Sequence, residues 1–280
     1  MTKEQSEIWQ KRSFPYVPMN ERDPKPRTKS ITEIRGPYYV AVTPTYTKEV
    51  LDGMGEHIDG YKYAGGSFSL MPADYVKAIN RICHDHDVYI STGGWIENIL
   101  ARAAHHVDDY IAECKALDFD MIELSTGFIQ LPVPDLLRLI EKVKKAGLKP
   151  KPEIGIQFGA GGDTNRSELE AEGTRDPQIL IDTATQCLNA GASIIMVESE
   201  GITENADPWR TDVAAKIIKE VGIENVMFEA ADPAVFEWYI KNYGIDVNLF
   251  VDHSQIVQLE CLRRGIWGTK STFGRITSHR

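Results

Sequence analysis

Residues 121–158 read MIELSTGFIQLPVPDLLRLIEKVKKAGLKPKPEIGIQF and contain one complete strand–helix–strand unit. Residues 121–125 form a short run typical of a buried strand. Apolar side chains recur at three- and four-residue spacing over 133–146, which predicts a helix, and Gly147 is the residue that a left-handed helix cap prefers. A second strand is predicted at 153–158. The two strands are therefore joined by a helical crossover, which is typical of parallel strands.

The same unit recurs along the chain from residue 38 onward, and every predicted connection is a crossover. Strands are predicted at 38–43, 58–63, 88–91, 121–125, 153–158, 193–198, 226–230 and 247–251. Helices are predicted at 74–84, 97–117, 133–146, 176–190, 212–221 and 233–243. Eight strands alternating with helices over about 240 residues fit a closed (β/α)8 (TIM) barrel better than an open doubly wound sheet. The first strand is not followed by a glycine-rich dinucleotide fingerprint, which the open alternative would favour.

The N-terminal 37 residues differ from the rest of the chain. They are polar and are interrupted by prolines at positions 15, 18, 24, 26 and 37. Such a segment is too short and too irregular for a domain of its own, so residues 1–37 are predicted to form an extended arm packed on the barrel. Residues 38–280 then form the barrel as a single domain.

The composition is typical of a soluble globular protein, with 42% hydrophobic and 26% charged residues among 280. The 31 Lys and Arg against 41 Asp and Glu give a net charge of −10, which opposes binding to nucleic acid and to anionic membranes. The charged N-terminus does not resemble a signal peptide, and the spacing of the cysteines predicts reduced thiols. We therefore expect a cytoplasmic protein, and a barrel of this size is expected to form a homo-oligomer.

Residues at the carboxyl ends of the strands are the candidate functional residues, because a barrel of this kind builds its active site there. Most of them are acidic. The candidate catalytic residues are Lys62, Glu123 and Glu229, and the candidate contacts to a small-molecule substrate are Gly66, Ser67, Ser91, Gln157 and His253. His253 could equally be a structural histidine.

Carboxylates that converge in one barrel mouth repel one another unless positive charge lies among them. Lys62 could supply that charge, and so could a divalent cation. Oxygen ligands without a Cys or His cluster favour Mg²⁺ or Mn²⁺ over zinc. The alternative is that individual glutamates only brace the barrel through hydrogen bonds to neighbouring strands.

Several segments of the sequence together resemble the phosphosulfolactate synthase family, which also includes plant heat-stress-associated proteins. They are PKPR at 24–27, YKYAGGS at 61–67, VYISTGG at 88–94, VMFEA at 226–230, DVNL at 246–249 and LECLRRG at 259–265. The resemblance implies a (β/α)8 barrel that uses Mg²⁺ to add sulfite to the methylene carbon of phosphoenolpyruvate. It further implies a metal ion held by Glu123, Glu153 and Glu198, with Lys62 as the proton donor.

Four strand-end positions depart from the family's pattern. The family has an Asp-Lys pair after the first strand, Ser-Asp-Gly after the fourth, a lysine after the fifth and an arginine after the glutamate of the sixth. This chain has instead Thr43-Pro44, Ser125-Thr126-Gly127, Gln157 and Ser199. Each difference removes a charge, and three of the four remove a cation that would hold the two anionic reactants, unless the loop arginines Arg166, Arg175 or Arg210 replace them.

Three functions therefore remain open. The first is the family's synthase reaction. The second is a diverged lyase that cleaves C–C or C–O bonds in a neutral substrate, for example an aromatic one bound by Trp95, Phe128, Phe158 and Trp209. The third is a non-enzymatic, stress-related interaction protein that uses the barrel as a scaffold.

Overall fold

Eight parallel strands close into a barrel in the computed structural model, which describes residues 12–162, 164–173, 175–266 and 270–279. The strands follow one another in sequence order, and the first pairs with the eighth. They are β1 Thr32–Arg35, β2 Gly60–Lys62, β3 Tyr89–Ser91, β4 Met121–Ser125, β5 Lys149–Ile154, β6 Ile195–Val197, β7 Val226–Glu229 and β8 Asn248–Asp252. The predicted (β/α)8 barrel is confirmed.

Helices connect the strands and cover the outside of the barrel. They are α1 Pro44–Met54, α2 Ala73–His84, α3 Ile96–Ala103, α4 Val107–Ala116, α5 Val133–Lys145, α6 Arg166–Ala171, α7 Pro177–Ala190, α8 Thr211–Val221, α9 Pro233–Tyr243 and α10 Ile256–Arg264. Local sequence sets several of their ends. Asp176 and Asp232 each accept a hydrogen bond from a backbone amide in the first turn of α7 and α9. Gly191 ends α7 in the left-handed conformation.

The first strand lies earlier in the chain than predicted, and the prediction of a strand at 38–43 is wrong. The first strand is Thr32–Arg35, within the segment assigned to the arm. Residues 38–41 are an exposed loop, and Thr43 caps α1 by accepting a hydrogen bond from the amide of Tyr46. The fifth strand is also earlier than predicted, at Lys149–Ile154. Both shifts change which side chains reach the barrel interior.

Two apolar clusters form the core. The larger lies between the strands and the helices, and the smaller lies inside the barrel and contains Ile31, Met121, Ile194, Met196, Met227 and Phe250. Side chains alternate along a strand, so positions two residues further on also point inward. Five of these positions are acidic, namely Glu33, Glu123, Glu198, Glu229 and Asp252. The barrel interior is thus apolar near the start of the strands and charged toward their carboxyl ends.

Buried ion pairs tie the arm, described here as residues 12–31, to the barrel. Arg22 lies 2.6 Å from Glu260 and 3.3 Å from Asp59, measured between Nη and carboxylate oxygens. Arg27 lies 2.8 Å from the other oxygen of Asp59. These arginine and aspartate side chains are almost completely buried. Buried charge pairs therefore fix the middle of the arm to the barrel.

Glu260, on α10, is the centre of this contact. Besides Arg22, its carboxylate contacts Arg264 Nε at 2.5 Å and His57 Nδ1 at 3.1 Å. Burial alone would raise the pKa of Glu260, but the guanidinium groups of Arg22 and Arg264 and the hydrogen bond with His57 hold that pKa well below its ordinary value. The carboxylate is therefore ionised at neutral pH.

All four cysteines are free, as predicted, and three of them are buried. Across the described ranges, no helix is both long enough and apolar enough to span a membrane.

Candidate active site

A cavity of about 350 Å³ opens at the carboxyl ends of the strands. Its lining is strongly acidic. The carboxylates are Glu97, Glu123, Glu153, Glu198, Glu200, Glu204 and Glu229. Arg35 and Lys62 are its only cationic side chains in the part of the chain that the structure describes. We call this cavity the mouth.

A larger cavity, of about 1130 Å³, lies at the opposite end of the barrel. Its walls carry charges of both signs, and several of these charged side chains pair with one another. Arg27 pairs with Asp59, and His84 lies 2.8 Å from Asp120. Among the described residues, the mouth has the larger excess of negative charge, with seven carboxylates against two cations, compared with six carboxylates against three Lys or Arg residues in the larger cavity. Because the mouth also lies at the carboxyl ends of the strands, it is the candidate active site.

A buried chain of alternating charges runs up the barrel interior into the mouth. Lys151 Nζ lies 2.5 Å from Glu33 Oε1 and 2.9 Å from Glu123 Oε2. Lys62 Nζ lies 2.7 Å from Glu123 Oε1 and 2.9 Å from Glu153 Oε1. Two ammonium groups therefore contact Glu123, one on each side. Lys62 is the cation closer to the mouth in this row of alternating charges.

The charged forms of Lys62 and Glu123 stabilise each other. Burial opposes the charge on Lys62, yet the carboxylates of Glu123 and Glu153 raise the pKa of Lys62 well above its ordinary value. Burial likewise opposes the charge on Glu123, but Lys151 and Lys62 lower its pKa. Lys62 therefore remains an ammonium group, which suits it to donate a proton or to bind negative charge.

Glu153, Glu198 and Glu229 form a carboxylate triad in the mouth, and each offers one oxygen within 4.8 Å of the other two. Burial and the nearby Glu123 carboxylate raise the pKa of Glu153 to about 7. Burial and the other two members of the triad raise the pKa of Glu198 well above its ordinary value. The negative charge of the triad is thus incompletely compensated by the described residues.

One oxygen of each triad carboxylate is held in place, and the other has no hydrogen-bond or ion-pair partner within the described ranges. The contacts to the held oxygens are Lys62 Nζ to Glu153 at 2.9 Å, Ser199 N to Glu198 at 2.8 Å and Arg35 Nη2 to Glu229 at 2.5 Å. Three oriented, hard oxygen donors fit Mg²⁺ or Mn²⁺. Glu123 does not fit the predicted role of metal ligand, because both of its oxygens face ammonium groups.

Two acidic side chains of the mouth brace loops instead. Glu97 accepts hydrogen bonds from the Ser125 hydroxyl and from the amides of Gly127, Phe128 and Ile129, the last three at 3.1, 2.6 and 3.1 Å. This carboxylate fixes the loop after β4. The bracing interpretation, left open for individual glutamates, applies to Glu97.

Glu200 braces the loop after β5 in the same way. Its carboxylate accepts hydrogen bonds from the amides of Gly161 at 2.6 Å and Thr164 at 3.0 Å. Gly161 and Gly162 have positive φ angles and line the mouth. Since a Cβ at Gly162 would lie 1.9 Å from the Phe128 ring, glycine is required for the two loops to pack.

The predicted substrate contacts Gly66, Ser67, Ser91, Gln157 and His253 are not part of the mouth lining. Gln157 donates a hydrogen bond to the Leu169 carbonyl at 2.8 Å and so anchors α6. His253 Nδ1 lies 3.0 Å from the Arg35 carbonyl oxygen, and its ring packs edge-on against Tyr46. Both residues lie beyond the last residue of their strand, which is Ile154 for β5 and Asp252 for β8.

The remaining three predicted contacts lie around the mouth rather than in it. Gly66 has a φ of 69°, and a Cβ there would lie 2.0 Å from the ring of Trp95, which does line the mouth. The Ser67 and Ser91 hydroxyls are buried, with no hydrogen-bond partner among the residues described. The lack of a side chain at Gly66 therefore makes room for the Trp95 ring.

Sequence reasoning missed Arg35, Lys151 and Glu33. The first strand ends at Arg35, so the residue that it places in the mouth is a cation. The sequence pattern instead predicts Thr43-Pro44 at this strand end. Lys151 lies two residues before Glu153 and therefore points to the same face of the strand. The alternation in KPKPE at 149–153 could have predicted this. Glu33 and Arg35 show the same alternation within TEIR.

The loop arginines do not line the mouth. Each forms an ion pair on the surface: Arg166 with Glu170, Arg175 with Glu172 and Arg210 with Asp212. Of the predicted aromatic residues, Trp95 and Phe128 line the mouth, whereas Phe158 and Trp209 do not. Tyr38, Tyr39 and Phe250 complete its aromatic wall.

Comparison with known proteins identifies the family. The family model described as (2R)-phospho-3-sulfolactate synthase (ComA) matches residues 20–269. The chain is 40% identical over 253 residues to the protein HEAT-STRESS-ASSOCIATED 32 of Arabidopsis thaliana, covering 87% of this chain and 88% of the relative. It is 24% identical over 244 residues to the phosphosulfolactate synthase of Methanocaldococcus jannaschii, covering 83% and 90%.

Solved structures with the same fold include Rhizobium etli pyruvate carboxylase, with a TM-score of 0.58 at 10% identity. The match covers 81% of this chain and 23% of the carboxylase chain, and at this identity it shows the fold alone. The family match, by contrast, spans both the arm and the strand ends. The chain therefore belongs to the phosphosulfolactate synthase family.

Proposed function

We propose that the protein is a metal-assisted lyase of the phosphosulfolactate synthase type, which joins sulfite to the methylene carbon of phosphoenolpyruvate. The observation that carries this proposal is the Lys62 ammonium, which is buried at the edge of a carboxylate triad. An enolate reaction needs positive charge beside the carboxylate of the substrate and a proton donor beside the carbon that accepts the electron pair. Family membership supports a small-molecule substrate.

The triad residues Glu153, Glu198 and Glu229 would hold the metal ion, either Mg²⁺ or Mn²⁺. When bound, such an ion supplies positive charge that stabilises the enolate form of a substrate carboxylate. The held oxygens of the triad keep the three side chains oriented, so that little rearrangement is needed on binding.

Lys62 would complete the addition. A bond forms between the sulfur of sulfite and the methylene carbon, and the electron pair of the double bond moves to the adjacent carbon and its carboxylate. Lys62 Nζ then delivers a proton to that adjacent carbon. The neutral amine left beside Glu123 and Glu153 regains a proton from solvent, because those carboxylates favour the ammonium form.

The walls of the mouth would orient the substrate and limit access of water. Trp95 and Phe128 form part of this wall, and Glu97 holds the Phe128 loop through backbone hydrogen bonds. A fixed wall keeps the reacting atoms in place without the cost of ordering a loop at each turnover.

The direct test is to incubate the purified full-length protein with Mg²⁺, phosphoenolpyruvate and sulfite. Loss of the enol absorbance reports the reaction, and mass spectrometry identifies the product. Phosphosulfolactate formed at an enzyme-like rate supports the proposal. A folded, Mg²⁺-binding protein that forms no product contradicts the synthase reaction.

A second candidate is a lyase that acts on a less anionic substrate with the same triad and Lys62. It is favoured by the ion pairs in the mouth, since Arg35 and Lys62 both already contact carboxylates and the loop arginines lie elsewhere. The aromatic wall suits such a substrate. Turnover of a neutral substrate, without turnover of phosphoenolpyruvate and sulfite, would support this candidate.

A purely scaffolding role fits less well. Three carboxylates that share a partly buried site without full compensation cost stability. A protein that needs only its outer surface gains nothing from that cost.

We expect Glu153→Gln to weaken Mg²⁺ binding by at least about tenfold. The substitution removes one negative charge from the triad and also the ion pair with Lys62. Titration calorimetry on the full-length protein measures the change. Glu204→Gln is the matched control, because Glu204 lines the mouth but lies outside the triad. Equal Mg²⁺ affinities for wild type and Glu153→Gln would contradict the assignment.

A further inference from the structure

Arg35 is a mouth cation to which the proposed mechanism gives no role. It is the last residue of β1, and its side chain is only 10% exposed. Aromatic rings surround its guanidinium, with centroids 5.5 Å away for Tyr38 and 5.2 Å away for Tyr39 and Phe250. These rings hold a planar cation in place and restrict its rotation.

The hydrogen-bond donors of Arg35 are only partly used. Its Nη2 contacts Glu229 Oε1 at 2.5 Å, and its Nη1 donates to the Tyr39 hydroxyl at 2.7 Å. A guanidinium carries five N–H groups, so three of them have no acceptor among the residues that the structure describes. One of these is the buried Nε. Donors left without an acceptor in a buried site are costly, and they mark a place where an acceptor is missing.

Tyr39 points to the same missing acceptor. Its oxygen accepts a hydrogen bond from Arg35, and its own O–H has no acceptor within the described ranges. A guanidinium and a phenolic hydroxyl side by side are donors that suit a carboxylate or a phosphate.

The other two described cations in or below the mouth, Lys62 and Lys151, each already contact two carboxylates. Lys62 lies between Glu123 and Glu153, and both of these contacts are shorter than 3 Å. Lys151 lies below the mouth between two carboxylates and is fully buried. In the described part of the chain, Arg35 is thus the cation of the mouth lining that contacts a single carboxylate and keeps unused donors.

We propose that Arg35, together with the Tyr39 hydroxyl, binds an oxyanion of the substrate, either a carboxylate or a phosphate. Arg35 is then the residue that selects anionic substrates in a mouth that otherwise repels them. The inference rests on the proposed function only in taking the mouth as the substrate site. It requires neither turnover nor a particular reaction.

Titration calorimetry on the full-length protein tests this role, with inorganic phosphate and oxalate as separate probes in Mg²⁺-containing buffer. Arg35→Gln is expected to weaken binding of at least one probe by about tenfold or more, because a charge-assisted, two-point contact is lost. Arg35→Lys is expected to weaken it less. The control Arg175→Gln is expected to bind both probes like wild type, since Arg175 is exposed and pairs with Glu172.

A separate Mg²⁺ titration distinguishes anion binding from support of the metal site. Arg35 lies beside Glu229, so its positive charge opposes a dication at the triad. Arg35→Gln is therefore expected to bind Mg²⁺ as tightly as wild type or more tightly, while its anion affinity falls. Parallel losses of Mg²⁺ and anion affinity would overturn the proposal, because they would make Arg35 a positioning residue for Glu229.

Tyr39→Phe keeps the test decisive if Arg35→Gln folds poorly. Tyr39 is 68% exposed, so removal of its hydroxyl should leave the fold intact, and severalfold weaker anion binding is expected.

Binding of phosphate alone or oxalate alone identifies the preferred oxyanion and supports the proposal. No binding of either anion to wild type, or equal binding by wild type, Arg35→Gln and Tyr39→Phe, overturns it. Failure of Mg²⁺ to bind would count against the proposed function but would leave these anion comparisons readable.

Discussion

Replacing Lys62 with Met is expected to lower turnover of phosphoenolpyruvate and sulfite by roughly 10²–10⁴-fold, the usual contribution of a positioned proton donor. Met keeps most of the length of the side chain but carries no proton to deliver. It also leaves Glu123 and Glu153 without the ammonium that they share. Steady-state kinetics on the purified variant measures the loss.

Lys48→Met is the matched control for this prediction. Lys48 is 60% exposed, pairs with Asp52 on α1 and is not part of the mouth lining. Circular dichroism and thermal unfolding establish that both variants are folded. If folded Lys62→Met turned over substrate like the Lys48→Met control, Lys62 would not be the proton donor.

Glu260→Gln is expected to destabilise the protein by about 3–5 kcal/mol at pH 7, the usual cost of removing one partner from a buried ion pair. The carboxylate contacts Arg22, Arg264 and His57, and its loss leaves buried guanidinium groups without their anion. Urea unfolding of the full-length protein measures the free energy of unfolding. Glu141→Gln is the control, since Glu141 is 62% exposed and makes a long contact of 3.9 Å to Lys145. A variant as stable as this control would show that the arm contact contributes little.

The same substitution should change how stability depends on pH. The pKa of Glu260 is lower in the folded protein than in the unfolded chain, where a glutamate has a pKa of about 4.3. Its stabilising contribution is thus fully present above that unfolded value and is lost as the pH falls through the folded value. Wild type should therefore lose stability more steeply in acid than Glu260→Gln. Parallel pH dependences for the two proteins would contradict this reading of the carboxylate.

The number of strands and the closed barrel could be predicted because most strands are short apolar runs between amphipathic helices. The first strand could not. Its residues TEIR place Glu33 and Arg35 inside the barrel, where strand sequences are usually apolar, so the β-branched run at 38–43 looked more strand-like. Their partners, Lys151 and Glu229, lie on distant strands, and a local sequence window does not contain them.

Much of the candidate site could also be predicted, because the residues that end buried strands must point toward the mouth. The predicted residues Lys62, Glu123, Glu153, Glu198 and Glu229 all line it. The role of each residue depends on contacts between strands, which a single sequence does not reveal. These contacts place Glu229 in the triad and Glu123 between two lysines. Residues beyond the strand ends, such as Gln157, follow loop geometry that side-chain hydrogen bonds determine.

The arm contact also has a consequence for the order of folding. Arg22 meets Glu260, which lies 238 positions later in the chain, and Asn20 accepts a hydrogen bond from the amide of Ser278, 258 positions later. Contacts of such sequence separation form slowly, because the loop between them must close first. A chain emerging from the ribosome therefore cannot form this contact of the arm until α10 has been synthesised. Once formed, the contact joins the segment that precedes the first strand to the helix that follows the eighth, and these are the two strands whose pairing closes the barrel.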